Sequence, residues 1–350
     1  MNKVETKGIR YLGSKNKIIP KLIEVIEGLD LEEKTMIDVF TGTTRVAQAF
    51  KEMGWTLTTS DLSWASEAYS SNFVGLSDNS HLQIHIDKMN ELSGQAGWLT
   101  NNYCDVTGSA GGIVRVWKPK NGEKADAMRN YVETLNISRQ EKMCLITSII
   151  FALDKIDNTV GLQQAYLKKW SSKRVDTDLK VSLLPSVAGT TGTHIVGDAL
   201  KIDYPNAEVA YLDPPYTAAD YSTYYHIWDS ITAWDKPQVA LKTNRRVDRV
   251  KSGDQHDKAM KSPWYSKKSA LKATRELIDR LPVRYCVFSY SDEGLIPKED
   301  MEALCSEYTS VEWHEKEHKR HVMSRIGAGG AEAENADKKK LSEWIIVIEK

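Results

Sequence analysis

Apolar positions first recur at helical spacing over residues 18–26, where Ile18, Leu22, Val25 and Ile26 share one face and Pro20 stands in the first turn. The period then shortens. Thr35-Met36-Ile37-Asp38-Val39-Phe40 reads as a short buried strand that runs into a turn at Gly42. A helix over 45–53 follows and ends at Gly54. Residues 55–60 give a second strand with Asp61 at its end. Strand, glycine turn, helix, strand and terminal acid are the layout of a nucleotide-type crevice at the carboxyl edge of a parallel sheet.

Between 80 and 190 the alternation stops. This stretch holds Thr107-Gly108-Ser109-Ala110-Gly111-Gly112, two predicted helices over 126–135 and 139–153, then Asn158-Thr159-Val160-Gly161 and the basic Tyr166-Leu167-Lys168-Lys169-Trp170. The pattern predicts an inserted, mostly helical module. Sheet-like runs resume at His194-Ile195-Val196, before Gly197-Asp198, and at Val209-Ala210-Tyr211-Leu212. Residues 284–290 form a further strand, and 310–314 with 344–348 form a final hairpin. Between the hairpin strands, Ile326-Gly327-Ala328-Gly329-Gly330-Ala331 opens a long Ala/Glu/Lys-rich loop. No internal repeat is visible. The fold class is α/β, Rossmann-like, with a mixed sheet.

Composition narrows the class. The 350 residues suffice for one large domain or two, and 41% hydrophobic with 27% charged residues is ordinary for a globular chain. The four cysteines, Cys104, Cys144, Cys286 and Cys305, have neither metal-type spacing nor a disulfide framework. No metal site is expected. The N-terminus lacks an apolar signal core and no run approaches membrane-spanning length, so the expected location is cytoplasmic, with no membrane contact. Oligomeric state leaves no trace in the sequence, and a monomer is the default.

Net charge is −1, yet cations cluster. Lys242, Arg245, Arg246, Arg249, Lys251, Lys258, Lys261, Lys267, Lys268 and Lys272 face only Asp248, Asp254 and Asp257 over one stretch. Lys168-Lys169 with Lys173-Arg174, and Lys316 with Lys319-Arg320, form two more clusters. Any one of these reads equally as a solvated helix face. Interleaved with Trp170, Trp264, Tyr265 and His318, they point to a polyanionic partner.

The chemistry concentrates in Asp213-Pro214-Pro215-Tyr216, at the end of an apolar strand. The carboxylate and nearby carbonyls accept hydrogen bonds from an exocyclic amino group, and the ring stacks on the base that carries it. Pro-Pro after a strand is also a common turn. Four further elements fit the same chemistry. Tyr11-Leu12-Gly13-Ser14-Lys15 offers an aromatic ring, a glycine and a cation for a carboxylate near a helix N-terminus. Phe40-Thr41-Gly42-Thr43-Thr44 lets a ligand approach the backbone. Asp61 suits vicinal ribose hydroxyls. Asp198 suits an adenine amino group. Surface turn, turn punctuation and helix caps are the respective plain readings.

In this order the elements resemble the Dam-like (alpha-group) DNA adenine-N6 methyltransferases, which use S-adenosylmethionine. The resemblance covers residues 1–75 and 190–350. Gly8-Ile9-Arg10-Tyr11-Leu12-Gly13-Ser14-Lys15 looks like the family's methionine-binding motif, and Asp38-Val39-Phe40-Thr41-Gly42 like its cofactor turn. Asp61 matches the ribose acid, Asp198 the adenine contact, and Asp213-Pro214-Pro215-Tyr216 the catalytic motif. The turn usually reads Phe-x-Gly-x-Gly, and here Thr44 replaces the last glycine. The segment Tyr221-Ser222-Thr223-Tyr224-Tyr225-His226 is similar to one found in a restriction–modification branch, and 158–170 to its recognition region.

The resemblance implies a seven-stranded sheet. Residues 1–80 and 190–350 would form the catalytic domain, and 81–189 the target-recognition module. Double-stranded DNA is the implied substrate and a cognate restriction endonuclease the implied partner. Asp213 and the Pro214 carbonyl would accept from N6 of a flipped adenine while Tyr216 stacks on the ring, and Asp213 would work as an ordinary ionised acceptor. Tyr221, Tyr224, Tyr225, Lys168, Lys169, Arg245 and Arg246 would contact DNA; Arg139, Gln140, Gln163, Gln164 and Arg174 are candidates for base reading. The rivals are cytosine-N4 methylation, an RNA or protein-glutamine methyltransferase, and a catalytically silent DNA-binding module.

Overall fold

The computed structural model describes residues 5–11, 13, 15–107, 113–163, 167, 169–171, 173–217, 220–240, 243–249, 262–319 and 340–350. Its centre is one seven-stranded sheet. In chain order the strands are β1 (Thr35–Asp38), β2 (Thr56–Asp61), β5 (Thr193–Val196), β6 (Ala207–Leu212), β7 (Val283–Ser291), β8 (Ser310–Lys319) and β9 (Lys340–Glu349). Across the sheet the order is β5-β2-β1-β6-β7-β9-β8. The first five run parallel, and β9 and β8 close the sheet antiparallel. This bears out the mixed, Rossmann-like sheet and the final hairpin, although β9, last in sequence, lies inside β8. The order switches direction at β1, with β2 on one side and β6 on the other, which opens a crevice at their carboxyl ends.

Alternation along the strands sorts the core into two layers. Met36, Leu57, Val209, Tyr211, Val287, Ile345 and Val347 face α1 (Ile19–Glu27), α2 (Arg45–Glu52) and α3 (Trp64–Ser70). Ile37, Val39, Ala210, Leu212, Phe288 and Ile346 face α10 (Lys267–Arg280) and α11 (Lys298–Cys305). Buried Ala270, Ala273, Leu277 and Ile278 fix one face of α10 to the sheet, which leaves Lys267, Lys268 and Lys272 on its solvated side.

Between β2 and β5 stand α4 (Gln83–Glu91), α5 (Trp98–Tyr103), a two-stranded ribbon of β3 (Cys104–Thr107) and β4 (Ile113–Arg115), α6 (Pro119–Thr134) and α7 (Arg139–Ile156). Helix α6 begins earlier than its apolar spacing suggests, because Pro119 is preset for the first turn. Helix α7 starts at a capping box in which Ser138 and Glu141 each satisfy the other's backbone N–H. Met128, Val132, Leu145, Ile149 and Leu153 join the same core as the first layer. Residues 108–112 and the glycine-rich start of the 326–331 loop lie outside the described residues. Among the described residues no helix is long and apolar enough to cross a membrane.

Candidate active site

Each strand on the crevice side ends in a residue singled out by the sequence. Asp213 follows β6, Asp61 closes β2, Asp198 follows β5, and Phe40 to Thr44 follow β1. They meet. Tyr11, Gly13, Phe40, Asp61, Asp198, Asp213, Pro214 and Tyr216 line one open cleft of about 830 Å³, solvent at its mouth included. A smaller chamber of about 520 Å³ continues from it under Tyr11, past Gly42, Ser63, Tyr225 and Asp229.

The turn after β1 is made by three residues with left-handed φ: Phe40 at 85°, Gly42 at 52° and Thr44 at 60°. Gly42 suits that region; a β-branched threonine does not. Thr44 is held there by hydrogen bonds. Its N–H donates to Thr41 O at 2.7 Å, its hydroxyl to Thr43 O at 2.7 Å, and Gln48 Nε2 donates to the hydroxyl at 3.0 Å. Thr44 thus holds its left-handed conformation through backbone and side-chain hydrogen bonds.

Asp61 is committed on both oxygens: Gly42 N donates to Oδ2 and Ser63 N to Oδ1, each at 2.8 Å. It ties the β1 turn to the end of β2 while still lining the cleft. Asp198 accepts from Leu200 N at 3.1 Å and pairs with Lys201 at 3.1 Å, so its capping role and its place in the cleft coexist.

Lys15 departs from expectation. Its 3-10 turn (Lys15–Lys17) precedes α1, and the side chain, 8% exposed, points at the acceptor acid rather than at a helix N-terminus. The ammonium lies 3.1 Å from Asp213 Oδ1, at ion-pair distance but not aligned for a hydrogen bond. It also lies 2.5 Å from Glu343 Oε1 on β9 and 5.2 Å from the centre of the Tyr216 ring. Burial lifts the Asp213 carboxyl to about 6, with Lys15 opposing and Glu343 assisting. The acceptor role expected from the sequence needs no raised pKa; burial in the low-dielectric cleft raises it all the same. Asp38, beneath the turn, accepts from Thr41 Oγ1 at 2.7 Å and is raised by burial to about 7.

An aromatic shelf covers the cleft. Tyr11 stacks on Tyr225, Tyr221 stands beside both Tyr11 and Tyr224, and Tyr216 meets Tyr290 edge-on. Tyr221 and Tyr224 are partly exposed. Tyr225 was expected to face DNA; it is buried beneath Tyr11, because α9 (His226–Ala233) starts there and drives the ring inward.

The cations divide. Arg245 is partly exposed. Arg246 was also expected at the surface but is 2% exposed, its guanidinium paired with Asp235 at 2.6 Å and Asp248 at 2.8 Å and lying over Trp64. Two aspartates and a ring draw it in. Lys169 is exposed; Lys168, Lys242, Lys251, Lys258, Lys261 and Arg320 lie outside the described residues. Among the candidates for base reading, Gln163 accepts from Ile227 N at 2.7 Å, Arg139 pairs with Glu67 at 2.6 Å, and Arg174 is tied to Asp157 at 3.3 Å. Gln164 lies outside the described residues.

Sequence reasoning missed Glu343 and the part that Trp264 and Tyr265 play as cleft wall. The two aromatics were legible only as company for cations. Glu343 carried one faint signal: it is an acid at the head of a strand whose next alternate positions, Ile345 and Val347, are core.

Sheet and cleft together have the layout of a nucleotide-type crevice at the carboxyl edge of a parallel sheet. Residues 11–321 match the family described as D12 class N6 adenine-specific DNA methyltransferases. The chain belongs to that family. It is 27% identical over 370 residues to modification methylase LlaI of Lactococcus lactis subsp. lactis, covering 98% of this chain and 55% of that protein. It is 25% identical over 355 residues to type II methyltransferase M.NlaIII of Neisseria lactamica, covering 98% and 99%. Type II methyltransferase M.CviAII of Paramecium bursaria Chlorella virus 1 is 25% identical, with 93% and 96% covered. The chain therefore spans about half the length of LlaI and nearly all of the other two.

Proposed function

We propose that this protein methylates N6 of a flipped-out adenine in duplex DNA, with S-adenosylmethionine as donor. One observation carries the reading: the acceptor motif Asp213-Pro214-Pro215-Tyr216 opens into the same cleft as Asp61 and Asp198. The cleft fits the donor. Asp61 and Asp198 suit its ribose and adenine, Gly42 lines the adjoining chamber beside Tyr11, and Asp213 with the Tyr11, Tyr216 and Tyr221 rings suits a sulfonium cation. When bound, it supplies an electrophilic methyl group.

The chain's own residues do the rest by placement. Tyr216 stacks on the extruded ring. Asp213 and the Pro214 carbonyl accept from the N6 amino group, which draws its lone pair out of conjugation with the ring and aims it into the cleft. With its carboxyl near 6, Asp213 is mainly ionised at neutral pH and able to accept. Tyr221 and Tyr224 flank the base, and Arg245 with Lys168 and Lys169 meets phosphates. Arg246 and Tyr225 hold this surface in shape from behind. Residues 81–189 read the target sequence, while 1–80 with 190–350 carry the chemistry. The relatives' names, a modification methylase and type II methyltransferases, favour a modification enzyme; the proposed enzyme is a cytoplasmic monomer with a cognate restriction endonuclease as partner.

The test is transfer of labelled methyl to duplex DNA, followed by nucleoside analysis. Label in N6-methyladenine is expected. Label in N4-methylcytosine, in RNA or in protein overturns the assignment, as does binding of DNA without transfer.

A further inference from the structure

Residues 343, 345 and 347 of β9 alternate onto one face of the sheet, and Ile345 and Val347 are buried in its core. Glu343 is the polar member of that stripe. A carboxylate here is disfavoured unless it is paired, and its pairing leads toward the acceptor acid. Its Oε1 accepts from Ser289 Oγ of β7 at 3.2 Å and from Lys15 Nζ at 2.5 Å. The same ammonium stands 3.1 Å from Asp213 Oδ1, an oxygen closed to solvent and unaligned for a hydrogen bond. Ser289, Glu343, Lys15 and Asp213 therefore form one chain from the middle of the sheet to the cleft.

We infer that Glu343 is a positioning residue for methyl transfer, holding the Lys15 ammonium at the buried Oδ1 of Asp213 so that the other carboxylate oxygen stays open to the adenine amino group. The inference rests on the reading of the cleft given above. A lysine ammonium is a compact charge on a flexible stem. Anchored by Glu343, it balances Asp213 from the buried side of the carboxylate. Released, it is free to reach the cleft-facing oxygen and compete with N6 for its lone pairs. The charged and titratable groups around Asp213 are Lys15, Glu343, Asp38 and the phenols of Tyr211, Tyr216 and Tyr221.

The test compares the full chain with Glu343→Gln and Ser289→Ala. Glu343→Gln keeps an acceptor for Lys15 but loses the charge. It is expected to lower kcat about tenfold or more while KM for DNA and donor stays within about threefold, the pattern of a misplaced reacting group. The acid limb of kcat/KM moves to lower pH, because a negative neighbour of Asp213 is gone. Binding of S-adenosylhomocysteine, measured by calorimetry, stays unchanged. Ser289→Ala shifts kcat and the acid limb the same way by a smaller amount, and decides the matter should the glutamine variant not fold. Parental kcat with an unmoved acid limb overturns the proposal, as does an activity loss that only tracks lowered thermal stability. A parent chain that transfers no methyl to DNA overturns the underlying reading instead, before any variant is compared.

Discussion

Tyr11 lies flat on Tyr225, the ring centroids 4.4 Å apart and the planes 17° from parallel. The stack joins the roof over Gly42 to the start of α9. Tyr225→Ala is expected to destabilise the fold by about 3 kcal/mol, as aromatic truncations in a core do. Donor affinity falls by up to about fivefold, since an aromatic pair contributes about 1 kcal/mol beyond its buried area. Chemical denaturation and donor calorimetry check the two effects separately.

On the proposed mechanism, the acid limb of the rate profile is expected to follow Asp213. Burial raises its carboxyl to about 6, and the acceptor form is the ionised one, so turnover falls as pH drops through that value. Asp213→Ala is expected to abolish methyl transfer and to leave DNA binding in place. Near-normal turnover of that variant removes Asp213 from the mechanism.

Asp38 makes a stability prediction. Its folded carboxyl titrates at about 7, whereas an unfolded aspartate titrates at about 3.9. The folded state therefore holds this proton more tightly, and the group's stabilising contribution, complete below the unfolded value, is lost as pH rises to 7. Asp38→Asn stays uncharged throughout. It is expected to melt like the parent in acid and above it at pH 8, by up to about 4 kcal/mol in stability. A melting offset that does not change with pH contradicts the argument.

Thr44 is held at φ 60° by its hydroxyl contacts. Thr44→Ala loses those contacts and keeps the left-handed strain, while Thr44→Gly loses both. Glycine is expected to be the more stable of the two by about 1 kcal/mol. Denaturant midpoints of the pair decide it.

Arg245 and Arg246 are adjacent in sequence but differ in burial. Arg246→Ala leaves Asp235 without its guanidinium and Asp248 with Arg249 alone, at 3.5 Å, and is expected to cost about 1–3 kcal/mol of stability, with no change in the salt dependence of DNA binding. Arg245→Ala is expected to leave stability nearly intact and to reduce the slope of log affinity against log salt by about one. Equal salt slopes for the two variants undo this distinction.

Why was so much of the cleft legible? Its residues sit at strand ends, where a short apolar run followed by Asp, Gly or Asp-Pro-Pro marks both an element and a position on the carboxyl edge. Asp61, Asp198 and Asp213 needed only that rule to converge. Lys15 was read by residue type, and type does not say which of several nearby carboxylates a long side chain will reach. Arg246 and Tyr225 were assigned by neighbourhood. Their burial depends on Asp235, Asp248 and the start of α9, which local sequence does not reveal. Glu343 entered the site through a pairing that spans most of the chain, and no local pattern reports such a pairing.

The placement of β9 between β7 and β8 has a consequence for biosynthesis. Strand β8 leaves the ribosome before the strand that joins it to the sheet exists, so the antiparallel half cannot assemble in order of translation. Glu343 arrives with that late strand. A nascent chain that already carries Asp213 and the turn after β1 still lacks the anchor inferred above for Lys15, so under that inference the cleft is complete only once β9 has entered the sheet.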